Sequence, residues 1–220
     1  MTQGIQHREA WSRRHLLCSL VAVTAAAAAW PLRAQQTATA DPLAELGRRL
    51  TAPPVLRGDF EQTKTLKGFK RPLVSRGAFV MARGRGVHWA TREPFASTVV
   101  VTRDRIRTLD AAGGNSTIET RQEPGLRMVN DLLLALLAGD IKALASRFQA
   151  DLVLEGARGW RLTLLPREAT LGRFVTRIEL QGDEHVRQVR WVEASGDDTR
   201  LRFSNHGLAP LSPSETTWFD

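Results

Sequence analysis

Residues 73–91 read LVSRGAFVMARGRGVHWAT, and this stretch decides the fold that the sequence predicts. Gly77, Phe79 and Met81 lie at every second position, so they share one face if the segment is extended. A turn rich in glycine and arginine follows, and residues 87–91 then resume the extended pattern. Because too few residues separate the two runs for a crossover, the pattern predicts two antiparallel strands joined by a hairpin.

The same period of two recurs on both sides of this hairpin. Leu56 and Phe60 alternate with charged residues before it, and Trp160, Leu162 and Leu164 alternate with polar residues after the middle of the chain. About ten such strands, each with one polar face, predict a mainly β fold with some α, namely a strongly curved sheet or incomplete antiparallel β-barrel. The expected strands cover residues 55–62, 73–81, 87–91, 97–102, 105–110, 148–155, 160–165, 173–181, 186–194 and 200–205.

Helical spacing appears in two other segments. Leu43, Leu46 and Leu50 recur with a helical period before the first strand, and residues 126–138 carry a leucine-rich stripe with the same period. Asp140 can cap a shorter helix directly afterwards. The sheet has one apolar face to cover, so we expect the helix pair in the middle of the chain to lie over it as a lid. The stripe consists of Leu126, Val129, Leu132, Leu133, Leu136 and Leu137.

The start of the chain has the organisation of a secretion signal. Arg13 and Arg14 precede a weakly apolar run over residues 16–30, which is shorter than the roughly 20 residues needed to cross a bilayer. This pattern predicts a signal peptide over residues 1–34, a single domain over residues 35–220 and a location in the periplasm. The paired arginines fit a twin-arginine signal, and ordinary secretion is the alternative.

The composition argues against several classes of function. Cys18 is the only cysteine and lies inside the expected signal peptide, so we expect no disulfide framework, cysteine zinc site or thiol nucleophile. His88, His185 and His206 lack the spacing of metal ligands, and the chain has no G-x-S-x-G motif. We therefore expect no metal, no cofactor, no catalytic residue and no enzymatic activity.

The positive charge of the chain bears on its partners. The formal net charge is +8, and the basic residues are spread along the chain instead of gathering with aromatic residues into one patch. Nucleic-acid binding would need such a patch, so no nucleic-acid partner is expected. A diffuse attraction to anionic lipid surfaces is the interpretation that we favour.

Three segments resemble the LolA family, the periplasmic carriers of outer-membrane lipoproteins. Residues 59–62 (DFEQ) are similar to the family's F-x-Q, and residues 77–94 are similar to its G-x-[LF]-x-x-x-R-P-x-x-F-x-W…P segment. Residues 203–213 look like its closing strand and loop. Gly84 stands where the family has proline and Val87 where it has phenylalanine, which indicates a divergent branch.

The resemblance implies a fold, a site and partners. It implies an incomplete barrel closed by helices that shields acyl chains, with an inner-membrane extraction complex and an outer-membrane receptor as partners of a monomeric carrier. Arg83 matches the family arginine that holds the helical lid shut through backbone carbonyls, whereas an ordinary solvated arginine is the alternative. A guanidinium suits the carbonyls at a helix end because it presents five donors and stays charged.

An acylated lipoprotein or lipid is thus the expected cargo. A plain filled core is the alternative for the same apolar side chains, because alternation fixes the shared face and not whether that face encloses space. Two other functions stay open at this point, a lipid-sensing module and an envelope-assembly module with the same fold. The candidates for acyl-chain binding are Phe60, Phe79, Met81, Trp89, Leu132, Leu133, Leu136, Leu137, Trp160 and Phe174.

Overall fold

The strands of the structure form a single antiparallel sheet. The computed structural model describes residues 42–119, 131, 134, 135 and 140–220. The strands among these residues are β1 (Val55–Thr65), β2 (Leu73–Ala82), β3 (Gly86–Glu93), β4 (Ser97–Thr102), β5 (Arg105–Asp110), β6 (Asn115–Glu119), β7 (Phe148–Glu155), β8 (Gly159–Pro166), β9 (Val175–Gly182), β10 (Val186–Glu193) and β11 (Asp198–Gly207).

The order of the strands shows that the sheet is open. It runs β6-β5-β4-β3-β2-β1-β11-β10-β9-β8-β7, so every neighbouring pair is consecutive in sequence except β1 and β11. In the described part of the chain the outer strands β6 and β7 do not pair with each other. The expected fold class, mainly β with an incomplete antiparallel barrel, is therefore confirmed.

The observed strands differ from the expected ones mainly at their ends. Asn115–Glu119 forms β6, which the sequence analysis had not predicted, and it pairs with β5 so that Ile118 lies opposite Ile106. All five residues of β6 are exposed, so no alternation of apolar and polar residues marks it in the sequence. β9 begins at Val175 and not at residue 173.

One face of the sheet is apolar, and we call it the apolar face. The register places Phe60 opposite both Gly77 and Phe203, and Phe79 opposite Trp89. The buried side chains of this face join those of the helices in one hydrophobic core cluster. Its members on the strands are Leu56, Phe60, Phe79, Met81, Val87, Val101, Phe148, Trp160, Leu162, Leu164, Val175, Ile178, Leu180, Val189, Leu201 and Phe203.

Two helices contribute to this core at the positions expected from the sequence. Leu46 of the first helix and Leu144 of the second are buried in the core cluster. The Asp140 carboxylate accepts a hydrogen bond from the backbone of Ala143 at 3.0 Å, which confirms the expected cap. The described helices are α1 (Pro42–Arg49), α2 (Ile141–Arg147), α3 (Ala169–Gly172) and α4 (Pro213–Thr216), and a 3₁₀ turn covers Thr217–Phe219.

The leucine-rich segment lies largely outside the described residues. Of residues 126–138, the structure describes residue 131 and residues 134 and 135, all of them helical. Leu134 and Ala135 are half-buried and pack against the core cluster. A helical part of the expected lid therefore lies on the core.

The opposite face, which we call the polar face, carries the C-terminal segment. The ring of Trp218 stacks on His88 with the centroids 3.9 Å apart, and the buried Phe219 packs with Val100. Arg107 donates to the Trp218 carbonyl at 2.6 Å. The return of this segment to the sheet is not predictable from the sequence, because its apolar residues follow no strand or helix period.

The segment is also held by a charged contact at the start of β1. Nη1 of Arg57 donates to Glu215 at 2.9 Å, and its Nη2 donates to the Pro210 carbonyl at 3.0 Å. The bond from Arg57, followed by one from the backbone of Ser212, lowers the pKa of Glu215 to about 2. Glu215 therefore stays ionised, and the contact with Arg57 persists, at any pH above that value.

Gly77 is required by the close approach of β2 and β3. A Cβ atom there would lie 1.9 Å from the Ala90 carbonyl oxygen and 2.8 Å from Cε1 of Phe60. We expect Gly77→Ala to lower the free energy of unfolding by about 3 kcal/mol, because the strands or the Phe60 ring must move apart. Urea unfolding followed by tryptophan fluorescence measures this change.

Gly47 in α1 provides the matched control for this substitution. A Cβ atom at Gly47 meets nothing within 4 Å. Alanine is favoured over glycine inside a helix, so Gly47→Ala should raise the free energy of unfolding by about 0.5–1 kcal/mol. Equal unfolding midpoints for the two variants would contradict the packing described for Gly77.

Candidate functional site

Three of the expected acyl-binding residues, Phe60, Phe79 and Trp89, form what we call the aromatic wall on β1, β2 and β3. The rings of Phe60 and Trp89 stack with centroids 3.8 Å apart, and Phe79 lies 6.3 Å from Trp89. Phe79 also meets the edge of Phe203 at 5.2 Å. Met81 is buried in the same core cluster. The structure thus brings Phe60, Phe79, Met81 and Trp89 together, with Trp89 only half-buried at the border of the wall.

Trp160 lies in the same core cluster but on β8. Its side chain is fully buried, and its indole Nε1 donates to the Asp183 carbonyl at 2.6 Å. Leu162 and Leu164 continue its face along the strand and are also fully buried. Trp160 therefore presents apolar surface to the core while its polar edge is satisfied at the turn between β9 and β10.

Phe174 lies apart from the other candidates. Its side chain is 51% exposed, just before β9, and Val175 occupies the buried position instead. The pairing of β9 with β10 shifts between Val192 and Glu193, and this irregularity breaks the alternation that would otherwise place Phe174 on the face of Ile178. A shift of this kind is not visible in the residue pattern.

The two remaining parts of the expected site are a turn and the lid. Arg83 lies in the exposed turn between β2 and β3, where its backbone nitrogen donates to the Pro54 carbonyl at 2.8 Å. The expected lid leucines lie outside the described residues, so the latching role of Arg83 stays a prediction. Those leucines are Leu132, Leu133, Leu136 and Leu137.

The apolar face also carries a buried hydroxyl that the sequence analysis missed. Thr199 on β11 is fully buried, and its Oγ1 has no hydrogen-bond partner among the described residues. The register places it between Lys64 of β1 and Trp191 of β10. An unpaired buried hydroxyl costs free energy, so this position is suited to a polar group of a ligand. Thr199 lies two positions before Leu201 on the same strand, and this spacing is the sequence signal that places its hydroxyl on the apolar face.

Charged residues end the apolar face beyond Thr199. Nζ of Lys64 lies 3.0 Å from a carboxylate oxygen of Glu193 and 4.0 Å from one of Asp197. The side chains of all three are partly exposed. The face therefore changes from aromatic to ionic along β1, from Phe60 to Lys64.

Two histidines that are distant in sequence lie face to face at the opposite end of the sheet. The rings of His185 and His206 have centroids 5.1 Å apart and an interplanar angle of 24°. The Thr51 hydroxyl donates to the Glu184 carbonyl at 3.0 Å, so at 2.9 Å it accepts from Nδ1 of His185. This contact ties the chain after α1 to the turn between β9 and β10.

The surroundings of His206 favour its neutral form. Nη1 of Arg187 lies 2.7 Å from Nδ1 of His206, and because a guanidinium only donates, that ring nitrogen accepts. Nε2 then carries the proton and is buried without a hydrogen-bond partner among the described residues. Burial, followed by the charge of Arg187, lowers the pKa of His206 below its ordinary value of 6.5.

The polar face bears a groove of about 740 Å³ between β3 and β9. Arg76 lies 2.9 Å from Glu61 and 3.7 Å from Glu93, and Arg92 lies 3.5 Å from Asp59. These ion pairs are exposed, so each contributes little to stability. The charged side chains of these ion pairs neutralise one another. Of the aromatic wall, only Phe60 lines the groove.

Two further properties concern metals and membranes. In the described ranges, no three histidine, cysteine, aspartate or glutamate side chains lie close enough to hold a metal ion together. Among the helices that the structure describes, none combines the length and the apolar character required to span a bilayer.

An open antiparallel sheet with helices packed on its apolar face defines the class of the incomplete-barrel domains. Residues 54–215 match the model of the family described as outer membrane lipoprotein carrier protein LolA, and the chain belongs to this family. The resemblance noted in the sequence is thereby confirmed. None of the curated proteins matches the chain.

Several solved structures are similar to this chain at low identity. A LolA superfamily protein from Nitrosomonas europaea is 9% identical with a TM-score of 0.42, over 81% of this chain and 96% of that one. A putative outer membrane lipoprotein-sorting protein domain from Vibrio parahaemolyticus is 12% identical with a TM-score of 0.42, over 79% and 94%. The MucA/MucB complex of Pseudomonas aeruginosa gives 18% identity and a TM-score of 0.47, over 80% of this chain and 60% of that chain.

The histidine pair predicts how stability depends on pH. Between pH 6.5 and the lower pKa of folded His206, the unfolded chain binds more protons than the folded chain. We therefore expect the free energy of unfolding to fall as the pH is lowered through this window. His206→Gln keeps an acceptor for Arg187 and does not titrate, so the fall should be smaller in this variant than in the wild type. Urea unfolding at about pH 7.5 and about pH 5.5 measures both.

His88 supplies the comparison for this experiment. Burial lowers its pKa as well, so His88→Gln should remove a separate part of the same pH dependence. The assignment of His206 as a buried neutral histidine would be refuted by one result. In that result, the wild type and His206→Gln lose the same free energy of unfolding between the two pH values.

Proposed function

We propose that this protein is a periplasmic carrier that shelters the acyl chains of lipoproteins, or of a related acylated lipid, between the inner and the outer membrane. The observation that carries the proposal is the aromatic wall of Phe60, Phe79 and Trp89, continuous with a core against which the helical residues Leu134 and Ala135 pack. A helix packed on this core covers apolar surface that a cargo chain would use.

The physical reason for a covered wall is the cost of exposing acyl chains to water. Each CH₂ group gains about 0.8 kcal/mol when it leaves water, so a lipid anchor leaves a membrane only for an apolar shelter. A shelter that binds too tightly cannot deliver its cargo. Displacing a packed helix from the wall costs burial, which lowers the net affinity for cargo and permits release.

The carrier function fits the other features of the chain. The signal peptide expected over residues 1–34 would export the domain over residues 35–220 to the periplasm. An inner-membrane extraction complex and an outer-membrane receptor are the partners that membership in a lipoprotein carrier family favours. No catalytic group, metal or cofactor is needed, because the work consists of binding and release.

A test for cargo decides between this function and its alternatives. We expect mass spectrometry of protein purified from the periplasm to detect an acylated molecule, and a fluorescent fatty acid to bind saturably. A lipid-sensing module would bind the probe without transferring it between vesicles. A structural module with a filled core would neither carry an acylated molecule nor bind the probe, and this result would exclude the carrier.

Thr199 gives a sharper prediction about the wall. We place the polar group of the cargo next to the buried hydroxyl of Thr199, which has no partner among the described residues. Thr199→Val should weaken binding of the fluorescent fatty acid about fivefold, the equivalent of one lost hydrogen bond, without lowering the free energy of unfolding. Thr63→Val, on the polar face of β1, is the matched control and should leave binding unchanged. Equal effects of the two substitutions would place the polar group elsewhere.

Arg83 gives the prediction about the lid. If its guanidinium holds the helical segment shut, Arg83→Leu lowers the cost of opening and should raise the affinity for the probe several-fold. Arg158, exposed in the turn between β7 and β8, provides the control as Arg158→Leu. Titration of the fluorescent fatty acid measures both. An Arg83→Leu variant that binds and transfers the probe like the wild type would leave Arg83 as a solvated turn residue.

A further inference from the structure

Exposed phenylalanines gather at one end of the sheet. Antiparallel hairpins place alternate turns at the same end, so the connections over residues 66–72, 94–96, 111–114, 167–174 and 194–197 all lie at the end where β1 finishes. We call this the aromatic end. Its exposed rings belong to Phe69, at 68% exposure, Phe95, at 81%, and Phe174, at 51%.

The opposite end of the sheet lacks this character. The turns there cover residues 83–85, 103–104, 156–158 and 183–185, and in these described turns no large apolar side chain occurs. The exposed large apolar residues near that end are Ile118 on β6, Leu154 on β7 and Leu208 after β11, and none of them lies in one of these turns. Scattered apolar residues on a surface need no explanation, but their concentration on the tips at one end of the sheet does.

Direct contacts join three connections of the aromatic end. The backbone nitrogen of Lys67 donates to Asp197 at 2.9 Å, and the Lys67 side chain lies against Gly196. The backbone nitrogen of Ala194 donates to the Phe174 carbonyl at 3.2 Å. The turns carrying Phe69 and Phe174 therefore both touch the connection over residues 194–197.

Phe95 belongs to the same surface through the pairing of β2 with β3. Arg76 lies opposite Glu93, two residues before Phe95, and the exposed Leu73 and Val74 precede Arg76 on β2. Phe95 therefore stands beside the start of β2, on which the turn with Phe69 ends. The three exposed rings therefore stand on separate tips along one end of the sheet, and the polar connection over residues 194–197 lies between the turn with Phe69 and the connection with Phe174.

Positive charge accompanies these rings. Lys67, Lys70 and Arg71 are exposed within residues 66–72, a segment without any acidic residue. Two acids of the neighbouring connections are engaged, since Asp197 accepts from the Lys67 backbone and Glu93 lies 3.7 Å from Arg76. The connection over residues 167–174 carries one acid, Glu168, with the two basic residues Arg167 and Arg173. Aromatic rings beside lysine and arginine are the combination that binds at the interface of an anionic bilayer.

We propose that the aromatic end docks on the surface of an anionic lipid bilayer, with the phenyl rings in the interface and Lys70 and Arg71 against the lipid headgroups. The rings stand on separate turns and not around a groove, which suits a deformable lipid surface better than the pocketed surface of a protein partner. This surface lies outside the aromatic wall, so the proposal stands or falls independently of acyl-chain carriage.

Cosedimentation of the purified protein with vesicles tests the proposal. We expect binding to vesicles of phosphatidylcholine that contain phosphatidylglycerol, weaker binding to pure phosphatidylcholine, and loss of binding as salt is raised. Phe95→Ser should weaken binding to the anionic vesicles about tenfold, because a ring leaves the interface. The double variant Lys70→Gln, Arg71→Gln should weaken it on the order of tenfold or more.

Matched variants at the other end of the sheet provide the controls. Leu208→Ser removes an apolar side chain that is 58% exposed, and Arg158→Gln removes an exposed positive charge from a turn. Both should bind the anionic vesicles like the wild type. All these positions are exposed, so the variants should keep the wild-type unfolding midpoint.

Two results would overturn the membrane-docking proposal. The first is a wild-type protein that does not sediment with anionic vesicles, which would assign the aromatic end to a protein partner. The second is Phe95→Ser and Leu208→Ser variants that bind equally. Binding of the fluorescent fatty acid is measured without vesicles, so the two proposals can fail separately. A protein that binds the fatty acid but not the vesicles refutes the docking surface alone. A protein that binds the vesicles but not the fatty acid refutes the carrier alone.

Discussion

The apolar face of an open sheet cannot stay in contact with water, and this constraint organises the molecule. Alternation along eleven strands places one continuous set of aliphatic and aromatic side chains on that face, and every element that packs on it removes apolar area from solvent. α1 and α2 cover part of it through Leu46 and Leu144. The helical residues Leu134 and Ala135, which precede α2, cover another part. A ligand that binds this face has to take the place of one of its covers.

The function proposed for the protein depends on regions of different polarity within one sheet. The aromatic wall and the buried hydroxyl of Thr199 lie on the apolar face, where water is excluded. The ion pairs of the groove occupy the polar face, where they keep the outside of the sheet solvated. The exposed rings and the lysines of residues 66–72 occupy the tips at one end. Each region thus differs from the others in polarity, which follows from strand alternation and turn composition alone.

Much of the fold was predictable from the sequence because it depends on local periodicity. The hairpin over residues 73–91, the cap at Asp140 and the facing aromatic residues of β1 to β3 all follow from the spacing of residues. Features that depend on register were not predictable, because a single irregularity moves a side chain to another environment. Phe174 was displaced in this way, and β6 carries no alternation at all.

Contacts between distant segments were the other gap in the sequence analysis. His185 and His206 meet beside a bulge in β11, where Asn205 adopts a positive φ of 52°, and no residue pattern signals this irregularity. The pairing of β1 with β11 joins the two ends of the domain and cannot form before β11 is made. Until then one edge of β1 stays unpaired, and an unpaired strand edge favours aggregation while the chain is being synthesised.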